Sequence, residues 1–335
     1  MKRSHGGVAA AALAAVAVVA TAVPASAAIT VTDLGALPGH TYSQATSVRD
    51  DGVAVGYSTS AGGYNRAVVF RSSGVTGLAT PGRHSEALDL NDAGLVVGWA
   101  EPATSQWRVP VWWDQSGALH ELPGYAGEAR GTNEAGVVVG FLNFPDRSAA
   151  RWESTAAEPV RLATLPGGEN DSIAYDVNNE GVVVGYSRGA DGVRHAVLWD
   201  AAGAVSQLDT PAGFPECFAY RLNDTGDVVG SCFAGNDRVA VRWNLTGAAT
   251  VLPTLGRPYS EASGVSDAGT VVGSANDAEG RAHAVRWNAN GTVTRLVPLS
   301  DSHGIAMDIN NSGTVVGYSH FSGTWFQATS WRNAG

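Results

Sequence analysis

Along this chain, short runs of apolar residues follow polar turns at an almost constant interval. The clearest case is Asn178-Asn179-Glu180-Gly181 followed by Val182-Val183-Val184-Gly185. Related stretches run over 49–56, 91–98, 133–140, 223–230, 266–273 and 310–317, which makes seven copies. Asn or Asp opens the turn through its side-chain hydrogen bonds, and Gly supplies the φ > 0 residue that closes it. Three successive valines have no polar face, so the strand after the turn is predicted to be covered on both sides. The glycines ending these strands, Gly56, Gly98, Gly140, Gly185, Gly230, Gly273 and Gly317, lie 42, 42, 45, 45, 43 and 44 residues apart. A strand repeat of ~40–50 residues predicts a β-propeller with four-stranded blades. In the fourth repeat strands A to D are expected at about 173–177, 182–187, 195–199 and 204–208, with 208–213 linking to the next blade.

The chain ends bear on closure. Repeat seven stops after its third strand, at Trp331, while a spare strand at 29–34 and a link at 35–39 precede repeat one. The spare strand predicts a closed seven-bladed ring in which it completes the last blade, against an open solenoid. The expected fold class is all-β, with one propeller domain over 28–335.

A second repeated position is aromatic. Strand C ends at Phe70, Trp112, Trp152, Trp199, Trp243, Trp287 and Trp331. Gly185 and Trp199 are equidistant from the loop centre at Gly192, as are Gly273 and Trp287 from Gly280. This predicts a register with each strand-B Gly opposite an aromatic ring. A row of Trp beside Val-rich strands is read as core in preference to a sugar-binding surface.

These residues resemble the repeat of secreted bacterial proteins of the HAF family, named for a His-Ala-Phe stretch. The likeness lies in residues 176–187 followed by His195-Ala196-Val197-Leu198-Trp199, and returns in His283-Ala284-Val285-Arg286-Trp287. Arg66-Ala67-Val68 and Gln327-Ala328-Thr329 keep part of it. The resemblance covers the whole chain after the leader and implies export and a repetitive β-fold, with no activity attached.

Residues 1–27 read as a secretory leader: Lys2 and Arg3, an apolar run over 8–23, and Ala25-Ser26-Ala27 before the cut. The run is shorter than the ~20 residues that span a bilayer, so a cleaved signal is expected, and the protein is placed outside the cell with no membrane anchor. Without Lys2 and Arg3 the 21 basic residues fall to 19, all Arg, against 31 acidic ones, a formal charge of −12. Such a surface argues against nucleic acid or anionic lipid as partner.

Catalytic signatures are weak: there is no His-Glu-x-x-His and no phosphate-binding loop. The acidic turns lack the ligand spacing of a calcium loop, and the sequons at Asn170 and Asn244 are read as turn chemistry. No cofactor is expected. Candidate ligand-binding residues come from geometry. In a propeller the D–A links and B–C loops share one face, and the A–B turns lie on the other. Three residues before the Ala of each strand A stand Tyr42, His84, Ala126, Asp171, Glu216, Tyr259 and His303. B–C loops of the same face carry Arg66, Arg108, Arg147, Arg194, Arg238 and Arg281. Variable polar loops on a rigid scaffold are where sites sit, although these Arg could simply pair with neighbouring carboxylates. The expected function is a secreted, non-catalytic, monomeric binding module for a glycan, a peptide or an extracellular protein. A hydrolase using two of Asp171, Glu216, His84 and His303, or a structural module of an extracellular layer, are the alternatives.

The two cysteines, Cys217 and Cys232, are expected to form a disulfide in an oxidising compartment. If Asn223 to Gly226 form a four-residue loop, the cysteines stand directly opposite on strands A and B. A three-residue loop with Gly226 as a bulge would shift them by one and part them.

Overall fold

The structure is a computed structural model that describes residues 29–333 except 106, 169, 301–302 and 322–324. The leader expected over 1–27 lies outside these residues.

Each repeat starts at its polar turn. Gly52, Gly94, Gly136, Gly181, Gly226, Gly269 and Gly313 all take φ between 73° and 87°, the left-handed conformation that costs Gly nothing. The turn Asn does two jobs. Asn178 Oδ1 accepts from the Val182 backbone N–H at 2.9 Å, closing its own turn. Its Nδ2 donates to the Asn223 carbonyl of the next blade at 3.3 Å. The same link runs from Asn91 to Asn133, Asn133 to Asn178, Asn223 to Ser266 and Asn310 to Arg49, so the turns tie the blades around the ring.

Blade four pairs Ser172–Val177, Val183–Arg188, Arg194–Trp199 and Val205–Gln207 in antiparallel order, strands A to D. Blades one to three and five to six repeat the plan, and a single parallel pair, Arg238 with Tyr259, joins blades five and six. Blade seven holds Gly304–Ile309, Val315–Phe321 and Trp325–Asn333, and its fourth strand is Ile29–Gly35 from the other end of the chain. Val31 lies opposite Trp331, so the spare strand closes a seven-bladed ring as expected. The strand-B valines Val55, Val97, Val139, Val184, Val229 and Val272 are wholly buried between blades.

Two expectations are corrected. The aromatic residue of blade two is Trp113, not Trp112: Trp113 is fully buried and opposite Val96, while Trp112 stacks on His120 with centroids 4.2 Å apart. The strand-B Gly does not face the ring either. Gly185 pairs with Val197, and Trp199 pairs with Val183. The cause is the hairpin: Gly192 sits at φ 76° as a bulge at the end of the turn, so the symmetry point is not at Gly192. Gly is required for a different reason. In every blade strand A bulges just after its central Ala, and a Cβ on the strand-B Gly would lie 1.9–2.0 Å from a strand-A carbonyl oxygen.

The buried Trp rings staple neighbouring blades. Trp199 Nε1 donates to the Ala163 carbonyl of the preceding D–A link at 2.6 Å, and Trp113, Trp152, Trp243, Trp287 and Trp331 do the same at 2.6–2.8 Å.

Cys217 and Cys232 form the disulfide, with Cα atoms 4.1 Å apart. Next to the turn Leu222 pairs with Val228, the offset of a bulged loop; the strand-A bulge between Ala219 and Arg221 shifts the pairing back. The two one-residue offsets cancel, and the cysteines meet face to face.

Candidate functional site

Strand A is innermost in each blade, so its side chains build the channel. The residue after each central Ala, namely Thr46, Leu88, Arg130, Tyr175, Tyr220, Ser263 or Met307, lines a cavity of about 340 Å³ together with Arg221 and Glu261. Tyr175 meets Tyr220 edge-on at 5.4 Å, and Tyr186 meets Phe218 at 5.1 Å, giving blades four and five an aromatic wall. One position further along strand A, Asp89, Asp176, Arg221 and Asp308 narrow the channel. A second cavity of about 200 Å³ opens beyond them to the turn face.

These channel acids have structural partners. Asp176 accepts from the backbone N–H of Leu222 in the next blade at 3.0 Å, Asp89 from Thr132 at 2.9 Å, and Asp308 from Val48 at 3.0 Å. Arg221 lies 3.7 Å from Asp176. Burial and the Asp89 charge push Asp176 up to about 7 against the pull of Arg221. Burial also pushes Asp308 up. The turn-face acids likewise hold neighbours: Glu134, Asp224 and Asp267 each accept the backbone N–H of the preceding blade's turn. Among the described residues, no group of three or more His, Cys, Asp or Glu is arranged to hold a metal ion.

On the loop face most of the candidate arginines are tied down. Arg108 pairs with Glu128 of the next blade at 2.6 Å, and Arg238 pairs with Glu261 of the next blade while lying 4.6 Å over the Tyr259 ring. Arg194 bridges Asp171 at 2.9 Å and Glu216 at 3.5 Å. Arg147 stands 3.9 Å from Asp171. Arg66 donates to the Leu78 carbonyl at 3.2 Å, and Arg281 is exposed. Burial would raise Asp171, but hydrogen bonds from Arg194, Tyr186 and Arg188 hold its carboxyl below the usual range. Asp171 and Glu216 therefore come together, across Arg194. The two histidines lie elsewhere: His84 accepts from the Asn65 backbone N–H, while the ring of His303 faces His320 at 5.2 Å and His283 at 6.4 Å.

The motif histidines are structural. His283 Nε2 contacts Asp277 at 2.7 Å, and its Nδ1 takes Arg295 from strand D at 2.8 Å. His195 does the same with Asp191 and Gln207. Each pins its B–C loop to strand D.

The sequence reading missed the residues flanking the central Ala, notably Glu86, Glu128 and Glu261 before it and Arg130, Tyr175 and Tyr220 after it. A count of one position either side of the same Ala would have found them. What it did anticipate is the face. Among the described residues, the exposed Tyr, Trp and Phe side chains are Tyr64, Trp107, Tyr125, Phe144 and Tyr259, and all lie on the loop face.

A closed ring of four-stranded antiparallel blades around a lined channel defines the chain as a β-propeller. Among solved structures it is similar to oligogalacturonate lyase in complex with manganese, at TM-score 0.59 and 15% identity, covering 92% of this chain and 94% of that one. It is also similar to the β-propeller domain of the Trilobed protease from Pyrococcus furiosus, at TM-score 0.57 and 11% identity over 87% and 93%. That propeller has an open velcro topology, whereas the present ring is closed by Ile29–Gly35. TolB from Acinetobacter baumannii matches at TM-score 0.53 and 13% identity, covering 79% of this chain, which spans only 65% of that protein. At these identities the likeness concerns the fold. The sequence matches no protein-family model and no curated protein.

Proposed function

We propose that this propeller is a secreted, non-catalytic binding module that takes an extracellular glycan, peptide or protein on its loop face. The observation that carries the reading is the one-sided placement of exposed aromatic rings: Tyr64, Trp107, Tyr125, Phe144 and Tyr259 share the loop face. Aromatic rings on a rigid face are the residues from which binding sites are built. The turn face has the opposite character, because its polar groups are bonded to one another around the ring. Export is supported by the leader pattern, the disulfide and the resemblance to secreted HAF-repeat proteins.

One observation favours an enzyme as second reading. Glu261, raised by burial, lines the upper channel cavity as a proton donor would. Against it, Arg238 already holds that carboxylate. The test is a glycan and peptide array probed with the full chain and with single Ala variants of Trp107, Tyr125 and Tyr259, beside the exposed turn-face variant Leu245→Ala. Binding that falls for the loop-face set and holds for Leu245→Ala is expected. Equal loss from both sets would show the face to be wrong, and turnover of a bound array ligand that Glu261→Gln abolishes would favour the enzyme.

A further inference from the structure

Blade seven meets blade one across the seam where the ring closes, and a pocket of about 260 Å³ opens there on the loop-face side. Its walls are Tyr42 and Tyr57 from blade one and Tyr318 and Phe326 from blade seven, all half-buried. The rings are set at angles to one another. Phe326 is 5.1 Å from Tyr318 edge-on and 6.2 Å from Tyr42.

The polar groups between the rings are amides and hydroxyls. Tyr57 donates its hydroxyl hydrogen to Gln44 Oε1 at 3.0 Å, which orients the amide and leaves the Nε2 hydrogens as donors. Asn65 Oδ1 accepts from Thr59 Oγ1 at 2.8 Å, and one Nδ2 hydrogen goes to Glu86 at 2.6 Å, leaving the other. Among the described residues, no ionisable acid, His, Lys or Arg lines the pocket. Glu86 stands behind Asn65, where burial pushes its carboxyl up. The contrast with the channel cavity is sharp, since that one holds Arg130, Arg221 and Glu261.

From this chemistry we infer that the seam pocket binds a single neutral pyranose ring; the inference rests on the loop-face reading and names a ligand class for it. The C–H faces of a sugar ring pack on aromatic rings, and its hydroxyls use fixed amide donors and hydroxyl groups. An ionised ligand would lose its hydration in a pocket with no charge to meet it. The volume lies just under the ~300–1,000 Å³ usual for ligand sites, which fits one ring. An extended peptide needs an accessible sheet edge or a long groove; the strands that carry Tyr57, Asn65, Tyr318 and Phe326 are paired on both sides, and the strand that carries Tyr42 and Gln44 has its free edge at the channel.

The test is saturation-transfer NMR on the full chain with the methyl glycosides of glucose, galactose and mannose, and with glucuronate as the charged probe. Transfer to at least one neutral glycoside and none to glucuronate is expected. Tyr318→Ala and Gln44→Ala should each weaken binding roughly tenfold, the loss of one stacking or hydrogen-bonding partner. Gln44→Glu keeps the volume and removes the donors, so it serves if the Ala variants fail to fold, and it should weaken binding at least as much. Silence from every neutral glycoside, glucuronate bound as well as the neutral set, or unchanged affinity in Gln44→Glu would each overturn the inference. An array ligand that still binds the loop face of Gln44→Glu, with all glycosides silent, overturns the pocket alone. The absence of any array ligand overturns the broader reading.

Discussion

The sharpest test of the blade geometry is Gly185→Ala. Gly185 has an ordinary backbone conformation, so in a regular strand pair Ala would be neutral or would stabilise by about 0.5–1 kcal/mol. The bulge in strand A reverses the sign. A Cβ at Gly185 would sit 1.9 Å from the Ile173 carbonyl oxygen and 2.9 Å from its carbon. Cβ atoms do not approach oxygen closer than about 3 Å, so the strand-A backbone must withdraw by about 1 Å. That backbone is fixed: Ala174 pairs with Gly185, and beyond the bulge Asp176 holds the N–H of Leu222 in the next blade. Overpacking against backbone belongs at the upper end of the usual 1–3 kcal/mol, and each ladder bond lost adds about 1 kcal/mol. We expect a loss of about 3 kcal/mol or more, a fall of roughly 6 °C or more in Tm at about 2 °C per kcal/mol for a domain of this size. Gly192→Ala is the comparison. It has φ 76° and no neighbour within 4 Å, so only the left-handed strain of about 1–2 kcal/mol applies. Thermal and urea unfolding of both variants measure the difference. A Gly185→Ala protein that melts at or above the parent would refute the bulge and the collision argued from it.

The other predictions concern the staples and the channel. Trp199→Phe should cost about 2–4 kcal/mol, because the Ala163 carbonyl loses its buried donor; a denaturant midpoint within error of the parent would contradict the staple. Intact-mass analysis of the exported chain should show no free thiol until reductant is added, and Cys217→Ser with Cys232→Ser should cost about 3 kcal/mol at most, since the bridge closes a separation of only 15 residues. Asp176 and Asp308 hold protons more firmly when folded than unfolded, so their contribution is full below pH ~4 and declines as pH rises, that of Asp176 up to about 7. Asp176→Asn should flatten the fall of Tm between pH ~4 and about 7; an unchanged slope would remove Asp176 as its source.

Much of this protein was legible in one dimension. The turn Asn and Gly act within five residues, and three consecutive valines need cover on both sides whatever the neighbours are, so the blade count and strand order follow from local chemistry. The unpaired strand before repeat one announced the closed ring, because a blade short of a strand leaves an edge that needs a partner. What sequence could not decide is set by contacts between residues far apart along the chain. The bulged B–C turn at Gly192 moves that pairing by one residue, which is why Gly185 faces Val197, and the strand-A bulge offsets a bulged A–B turn, which is why Cys217 still meets Cys232; a hairpin symmetry count sees neither bulge. Whether Trp112 or Trp113 turns inward depends on the strand-B partner. The loop-face arginines were found by position, but their partners belong to the next blade: Arg108 finds Glu128, and Arg238 finds Glu261. The seam pocket is the extreme case. Tyr42 and Phe326 share it only because Ile29–Gly35 closes the ring, so no local pattern in either segment could have announced it.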